Sequence, residues 1–178
     1  MQRPQAIVDH VFLTDMKVAD AGVVMDPSLT FTHRALQHAA DYWRATCGTQ
    51  PMPTREDMRT SEMRDFLSHV TLVGIDEPDR LDSEFTIRLA GKDVEKVFGP
   101  ISGKPLRGAI PDDAAARWRS GYNFVRTTRQ PIRFCGHVRF EDKRWLMGET
   151  LMAPLGDSVV RMIFCAFAAW HDLAQHAR

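Results

Sequence analysis

The chain has 178 residues, of which 44% are hydrophobic and 26% are charged, and its 23 basic side chains balance 23 acidic ones. This composition is typical of one soluble globular domain with a flanking extension. The balanced charge excludes a general attraction to nucleic acid, and no apolar run approaches the roughly 20 residues that cross a bilayer. We therefore expect a cytoplasmic protein that neither binds nucleic acid nor inserts into a membrane.

Residues 1–28 form a predicted flanking segment, which the pattern allows to be either a strand or a docking helix. It carries four apolar residues in a short stretch: Val8, Val11, Phe12 and Leu13. Uncovered apolar side chains of this kind favour self-association. We therefore expect a homodimer that uses this segment together with an exposed face of the sheet.

Helical intervals of apolar residues predict an amphipathic helix between Leu29 and Cys47, and Gly48 follows as its C-terminal stop. The two prolines of residues 51–57 then predict an extended loop. Ser61 is a suitable N-cap for a short helix over residues 62–68.

Two adjacent strands are predicted next, because residues 70–75 are almost continuously apolar and residues 85–90 alternate. Phe85, Ile87 and Leu89 fall on one face of the second strand at period two. We predict that all three are buried. Gly91 follows directly and predicts a tight turn with a positive φ angle.

The remaining pattern predicts a short helix, a longer helix that starts at Pro111 and ends between Arg126 and Arg129, and a three-stranded meander. The meander strands cover residues 132–140, 145–153 and 159–167. A domain over residues 29–167 results, with a C-terminal helix or tail at 168–178. The fold class is α+β, with one antiparallel sheet whose inner face is covered by helices.

Several local matches make this order resemble the PAS family, in the form of the single-PAS-domain proteins common in alphaproteobacteria. The matching motifs are Tyr42-Trp43, the loop from Pro51 to Arg55, the strand from Phe85 to Gly91, Phe98-Gly99 with Gly103, and Pro154-Leu155. The resemblance implies a five-stranded antiparallel sheet, a helical layer that encloses a possible ligand cavity, and a regulatory protein that signals by protein contact. The asparagine-cysteine-arginine signature of the flavin-binding light sensors is absent.

A ligand of such a domain is expected between the inner sheet face and the helices. The predicted pocket residues are Ile87, Leu89, Phe98, Trp118, Tyr122, Phe134 and Trp145, and the predicted polar anchors are Arg88 and His137. A largely apolar cavity with a few polar groups is the usual way in which small ligands are held. Plain core packing explains the same apolar residues and stays open as the alternative.

The seven histidines do not show the spacing of a metal site, so no metal is expected. A haem held by one axial histidine, His69 or His137, and a small metabolite both stay open as ligands. The three cysteines are widely separated, which predicts free, reduced thiols. No acid, base and nucleophile converge in the pattern. A regulatory sensor or interaction module is thus favoured over the alternative, a small α+β enzyme such as a hydrolase or isomerase with a polar pocket.

Overall fold

The computed structural model describes residues 23–138 and 146–171. The predicted dimerisation residues Val8, Val11, Phe12 and Leu13 lie outside these residues, and so does the predicted pocket residue Trp145. The same holds for residues 172–178 of the predicted tail. The last strand continues to His171, four residues beyond the predicted end of the domain.

One antiparallel sheet of six strands forms the centre of the fold, in the spatial order β1-β4-β5-β6-β2-β3. The α+β prediction is confirmed, with six strands in place of five. The extra strand is β1, which pairs with β4 and is only four residues long. The strands are β1 (Val23–Asp26), β2 (Val70–Ile75), β3 (Phe85–Ala90), β4 (Ile132–His137), β5 (Leu146–Gly156) and β6 (Val160–His171).

In the described residues, four helices and two short 3₁₀ helices surround the sheet. The predicted helix over residues 62–68 is absent, and 3₁₀ helices at Thr60–Glu62 and Leu67–His69 stand near its two ends. The helices are α1 (Arg34–Cys47), α2 (Lys92–Phe98), the single turn α3 (Leu106–Ala109) and α4 (Asp112–Thr128).

Helices cover both faces of the sheet, which gives the protein two layers of core. On the inner face, Tyr122 of α4 is almost fully buried and packs on Phe85, with 5.3 Å between ring centroids. On the outer face, the Trp43 indole of α1 donates a hydrogen bond of 3.0 Å to the Pro154 carbonyl. Helix α1 lies there because its apolar residues recur at helical spacing and are the buried ones: Ala35, Leu36, Ala39, Ala40 and Trp43.

A β-bulge in β3 turns the Leu89 side chain to the face opposite to the predicted one. Leu72 pairs with Leu89 and Val73 pairs with Ile87, so Arg88 is an extra residue between two pairs. A bulge of this kind changes which face the following side chain occupies. Phe85 and Ile87 are buried as predicted, whereas Leu89 is 44% exposed on the outer face.

Gly91 does not have the positive φ that its position predicts. Its φ and ψ are −71° and 161°, which any residue adopts. A glycine is required for a different reason, because a Cβ atom there would lie 2.3 Å from the Ser68 carbonyl oxygen. The glycine therefore permits a close approach of two backbone segments.

The free edge of β3 is occupied by a loop of the same chain. The Ile87 N–H donates to the Lys104 carbonyl at 2.9 Å, and the Ile87 carbonyl accepts from the Gly103 N–H at 2.7 Å. Thr86 also forms an isolated antiparallel bridge with Pro105.

Candidate functional site

A small cavity lies between the inner sheet face and helices α2 and α4. Its volume is about 40 Å³, and its lining is aromatic with a few polar side chains. Phe98 forms part of its wall, and its ring centroid lies 4.8 Å from that of Trp118 and 5.1 Å from that of Phe167. The lining comprises Phe98, Ala114, Arg117, Trp118, Phe134, Gly136, His137, Val138, Gly148, Thr150 and Phe167.

The structure brings together some of the predicted pocket residues and separates others. Phe98, Trp118, Phe134 and the polar anchor His137 line this cavity. Ile87 and Tyr122 are instead packed into the core beside it and do not line it. The cavity also uses Arg117, Thr150 and Phe167, which the sequence pattern did not single out.

Two predicted pocket residues lie away from the inner cavity. Leu89 is on the outer face as a result of the bulge, and the predicted polar anchor Arg88 extends towards solvent. The Arg88 guanidinium lies 3.3 Å from the Asp76 carboxylate in an exposed ion pair. Its prediction as an anchor of this cavity is therefore wrong, because Arg88 lies over Gly74 on the face opposite to the buried Phe85 and Ile87.

A buried tyrosine–cysteine pair stands next to the cavity. Tyr122 and Cys165 interact through a side-chain hydrogen bond, and burial raises the pKa of both groups well above their ordinary values. Both groups are therefore held in their protonated forms, and the Cys165 thiol is not a reactive nucleophile.

A larger apolar groove runs along the outer face, between β2–β3 and the loop that precedes β2. We call it the outer-face groove. Its volume is about 360 Å³. Leu89, at 44% exposure, is one of only two large hydrophobic residues exposed in the described part of the chain. The groove is lined by Arg55, Met58, Thr60, Met63, Leu67, Ser68, Val70, Leu72, Leu89, Ala90, Gly91 and Lys92.

The charged residues of the groove are both cationic. Arg55 and Lys92 are exposed, and no aspartate or glutamate belongs to the described lining. Arg55 is fixed in place by a hydrogen bond of 3.1 Å to the Met58 carbonyl. Asp57 orders the same loop by accepting from the Thr54 N–H and hydroxyl at 2.8 Å each. The groove is therefore an ordered apolar surface with a positive rim.

A buried carboxylate ties the start of α1 to the outer face. Glu149 of β5 is fully buried and accepts hydrogen bonds from the backbone N–H groups of Thr32 and His33 at about 3.0 Å. The Arg133 guanidinium donates to the same carboxylate at 2.5 Å and lies 3.6 Å from Asp26. Burial of this charge is possible because three donors surround it.

Two histidines lie side by side next to this carboxylate. The ring centroids of His33 and His69 are 5.0 Å apart. His69 Nδ1 lies 2.9 Å from the Phe167 carbonyl, and its Nε2 lies 3.6 Å from the Asp93 carboxylate. The pKa of His33 lies below its ordinary value, because burial and then the neighbouring His69 disfavour its charged form. Nothing in the sequence indicated this pair, since residues 33 and 69 belong to elements that are far apart in the chain.

The described residues hold no group of three or more histidine, cysteine, aspartate or glutamate side chains arranged to bind a metal ion. No helix in residues 23–138 and 146–171 combines the length and apolar character that a membrane crossing needs. The three cysteines are free thiols.

A six-stranded antiparallel sheet with a helical layer over an internal cavity defines the described part of the chain as an α+β module. The family model of the PAS domain matches residues 31–163, which is most of the chain, and the protein belongs to this family. The family resemblance predicted from the sequence is thus confirmed, and with it the general class of regulatory sensor or interaction modules. No curated protein and no solved structure matches the chain.

Proposed function

We propose that this PAS protein is a non-catalytic regulatory module that acts by protein contact, with the outer-face groove as its binding surface. The observation that carries the proposal is the contrast in size between the inner cavity and the apolar outer-face groove. The inner cavity of about 40 Å³ is far below the roughly 300 Å³ at which pockets for drug-sized ligands begin. The outer-face groove, at about 360 Å³, reaches that size and is open along an apolar surface.

The occupant of the groove is, in this proposal, the N-terminal segment of a second copy of the chain. That segment is apolar at Val8, Val11, Phe12 and Leu13, and Asp9 and Asp15 accompany these residues. The acidic side chains complement the positive rim formed by Arg55 and Lys92. Apolar contact would supply the affinity, and the charges would set the orientation of the segment.

Chain geometry favours the groove of a second copy over the groove of the same copy. The described chain begins on β1, at the opposite edge of the sheet from β3. Five strand spacings of about 4.8 Å separate these edges by about 24 Å, and α1 covers β5 and β6 between them. The residues between Leu13 and Val23 span at most about 35 Å when fully extended. To reach the groove of their own copy, they would have to cross this distance and also pass around α1, which uses most of that reach.

Light scattering on the full chain and on matched aspartate variants tests this proposal. The full chain should be a dimer, and both Leu89→Asp and Phe12→Asp should be monomers. Leu81→Asp is the matched control, because Leu81 is 79% exposed and lies outside the groove, so it should remain a dimer. A monomeric full chain, or a Leu89→Asp variant that remains dimeric, would overturn the assignment of the groove.

A small ligand in the inner cavity is a second candidate function, supported by the aromatic lining and by the polar groups of Arg117, His137 and Thr150. A haem is far larger than this cavity, so the candidate is restricted to a small metabolite. Mass spectrometry and an absorption spectrum of the purified protein test for a retained molecule. The proposal further places the protein in the cytoplasm, where its three free thiols are stable, and includes a signalling partner that recognises the dimer.

A further inference from the structure

We propose that His33 and His69 form a proton-responsive contact, in which uptake of a second proton by the pair releases the segment before α1 from the sheet. This inference goes beyond the proposed dimer, because it concerns how the protein responds to pH and does not depend on what occupies the groove. It rests on the positions of the two rings and on the hydrogen bonds that the released segment would lose.

The surroundings of His69 suit a ring with protons on both nitrogens. Nδ1 faces the Phe167 carbonyl at 2.9 Å, and Nε2 faces the Asp93 carboxylate at 3.6 Å. Both partners are acceptors, and only the imidazolium form donates from both ring nitrogens. Asp93 is itself held by the Ser68 hydroxyl at 2.5 Å and by the Lys96 ammonium at 2.6 Å. Both ring nitrogens of His69 thus face acceptors, one of which is the Asp93 carboxylate.

The surroundings of His33 suit a neutral ring. Its Nδ1 is buried and has no hydrogen-bond partner among the described residues. Burial and the charge of His69 both lower the pKa of His33, and they outweigh the opposing attraction of Glu149 and Asp93. The charged or titratable groups packed around the pair are Glu149 of β5 with Arg133 of β4, and Asp93 with Lys96 of α2.

A second proton would place two imidazolium rings with centroids 5.0 Å apart in a partly buried site. His69 is held by the sheet through the Phe167 carbonyl, whereas His33 is the N-cap residue of α1 and makes no side-chain capping bond. The ring of His33 is thus the one free to move. Its displacement would strain the hydrogen bonds that the backbone N–H groups of Thr32 and His33 donate to Glu149. These hydrogen bonds tie the segment to β5.

The sign of the pH effect follows from the lowered pKa of His33. The folded protein binds fewer protons at this ring than the unfolded chain does, so the stabilising contribution is complete above the ordinary value of 6.5. It is lost progressively as the pH falls below that value. Release of the segment is therefore expected on mild acidification.

Hydrogen exchange measured by NMR tests this inference. After correction for intrinsic exchange, the Thr32 and His33 amides of the wild-type protein should exchange at least about fivefold faster at pH 5.5 than at pH 7.5. Fivefold is about the smallest effect that coupled sites in proteins typically have on each other. His33→Gln should remove this dependence. His38→Gln is the matched control, because His38 lies on α1 but outside the pair, and it should behave like the wild type.

A second variant keeps the test decisive if His33→Gln perturbs folding. His69→Gln removes the neighbouring imidazole and leaves His33 in place, so the pH dependence should become weaker there. Circular dichroism at pH 7.5 confirms the native fold of this variant. The proposal is overturned if the Thr32 exchange rate is independent of pH in the wild type. It is also overturned if a folded His33→Gln or His69→Gln variant keeps the full pH dependence.

Discussion

Substitution of Gly91 tests the close packing of two backbone segments beside the outer-face groove. A Cβ atom at this position would lie 2.3 Å from the Ser68 carbonyl oxygen and 2.8 Å from the Leu67 carbonyl oxygen. Both obstacles are backbone atoms, so they cannot move aside as a flexible side chain does. The N–H of Gly91 also donates to the Val70 carbonyl at 2.8 Å, which holds the two segments together.

We expect Gly91→Ala to lower the free energy of unfolding by about 1–3 kcal/mol, the usual cost of overpacking. Gly91→Val should cost more, because its additional methyl groups enlarge the overlap. In a chain of this size, each kcal/mol lowers the thermal midpoint by about 2–4 °C. Chemical denaturation, with the midpoint and slope fitted separately, gives the measurement.

Two asparagine variants show whether position 91 requires glycine because a Cβ atom has no space there or because of the backbone angles. Asparagine tolerates the left-handed backbone region but still carries a Cβ atom. Gly91→Asn should therefore be as damaging as Gly91→Ala. Gly103→Asn is the control, since Gly103 has a φ of +78° and no atom lies within 4 Å of the place that its Cβ would take; it should cost about 1 kcal/mol or less. An unchanged midpoint for Gly91→Ala would refute the steric reasoning.

Two further substitutions test the buried polar groups. Glu149→Gln should destabilise the protein by about 3–5 kcal/mol, because it removes the charged partner of a buried ion pair. Arg133, whose side chain is 18% exposed, then lacks its main counter-charge. Urea denaturation measures the change in the free energy of unfolding. Tyr122→Phe should cost only about 0.5–1.5 kcal/mol, since it removes one hydrogen bond to Cys165 and keeps the ring packing. If Tyr122→Phe lowers the free energy of unfolding more than Glu149→Gln does in the same assay, the expected order of the two effects is wrong.

The elements that the sequence predicted well are those with a local pattern. Strands β2 and β3 and helix α2 follow the predicted ranges closely, because their apolar spacing, with turns or glycines at their ends, is visible within a few residues. Helix α4 likewise starts directly after Pro111 and ends before Arg129, whose φ of +57° forms the left-handed stop. Local chemistry was sufficient for these boundaries.

The features that the sequence did not predict depend on contacts between distant residues. The direction of Leu89 is set by how β3 pairs with β2 across a bulge, which no period in β3 itself shows. A glycine at a strand end suits either a positive φ or a close approach of two backbone segments. Only the position of Ser68 shows that Gly91 serves the close approach. The bond between His33 and Glu149 joins residues 116 positions apart. A single sequence contains no signal for such a pair.

The occupied edge of β3 restricts how another protein can be recognised at this end of the sheet. Because Ile87 already exchanges hydrogen bonds with Gly103 and Lys104, a foreign peptide cannot join β3 at this residue as an additional strand. In the proposed dimer, affinity at this end would therefore come from side chains that pack on Leu72, Leu89 and their neighbours. Selectivity then depends on the shape and spacing of the incoming side chains, and backbone pairing, which accepts almost any sequence, contributes little. The same closed edge protects the monomer from sheet-to-sheet aggregation.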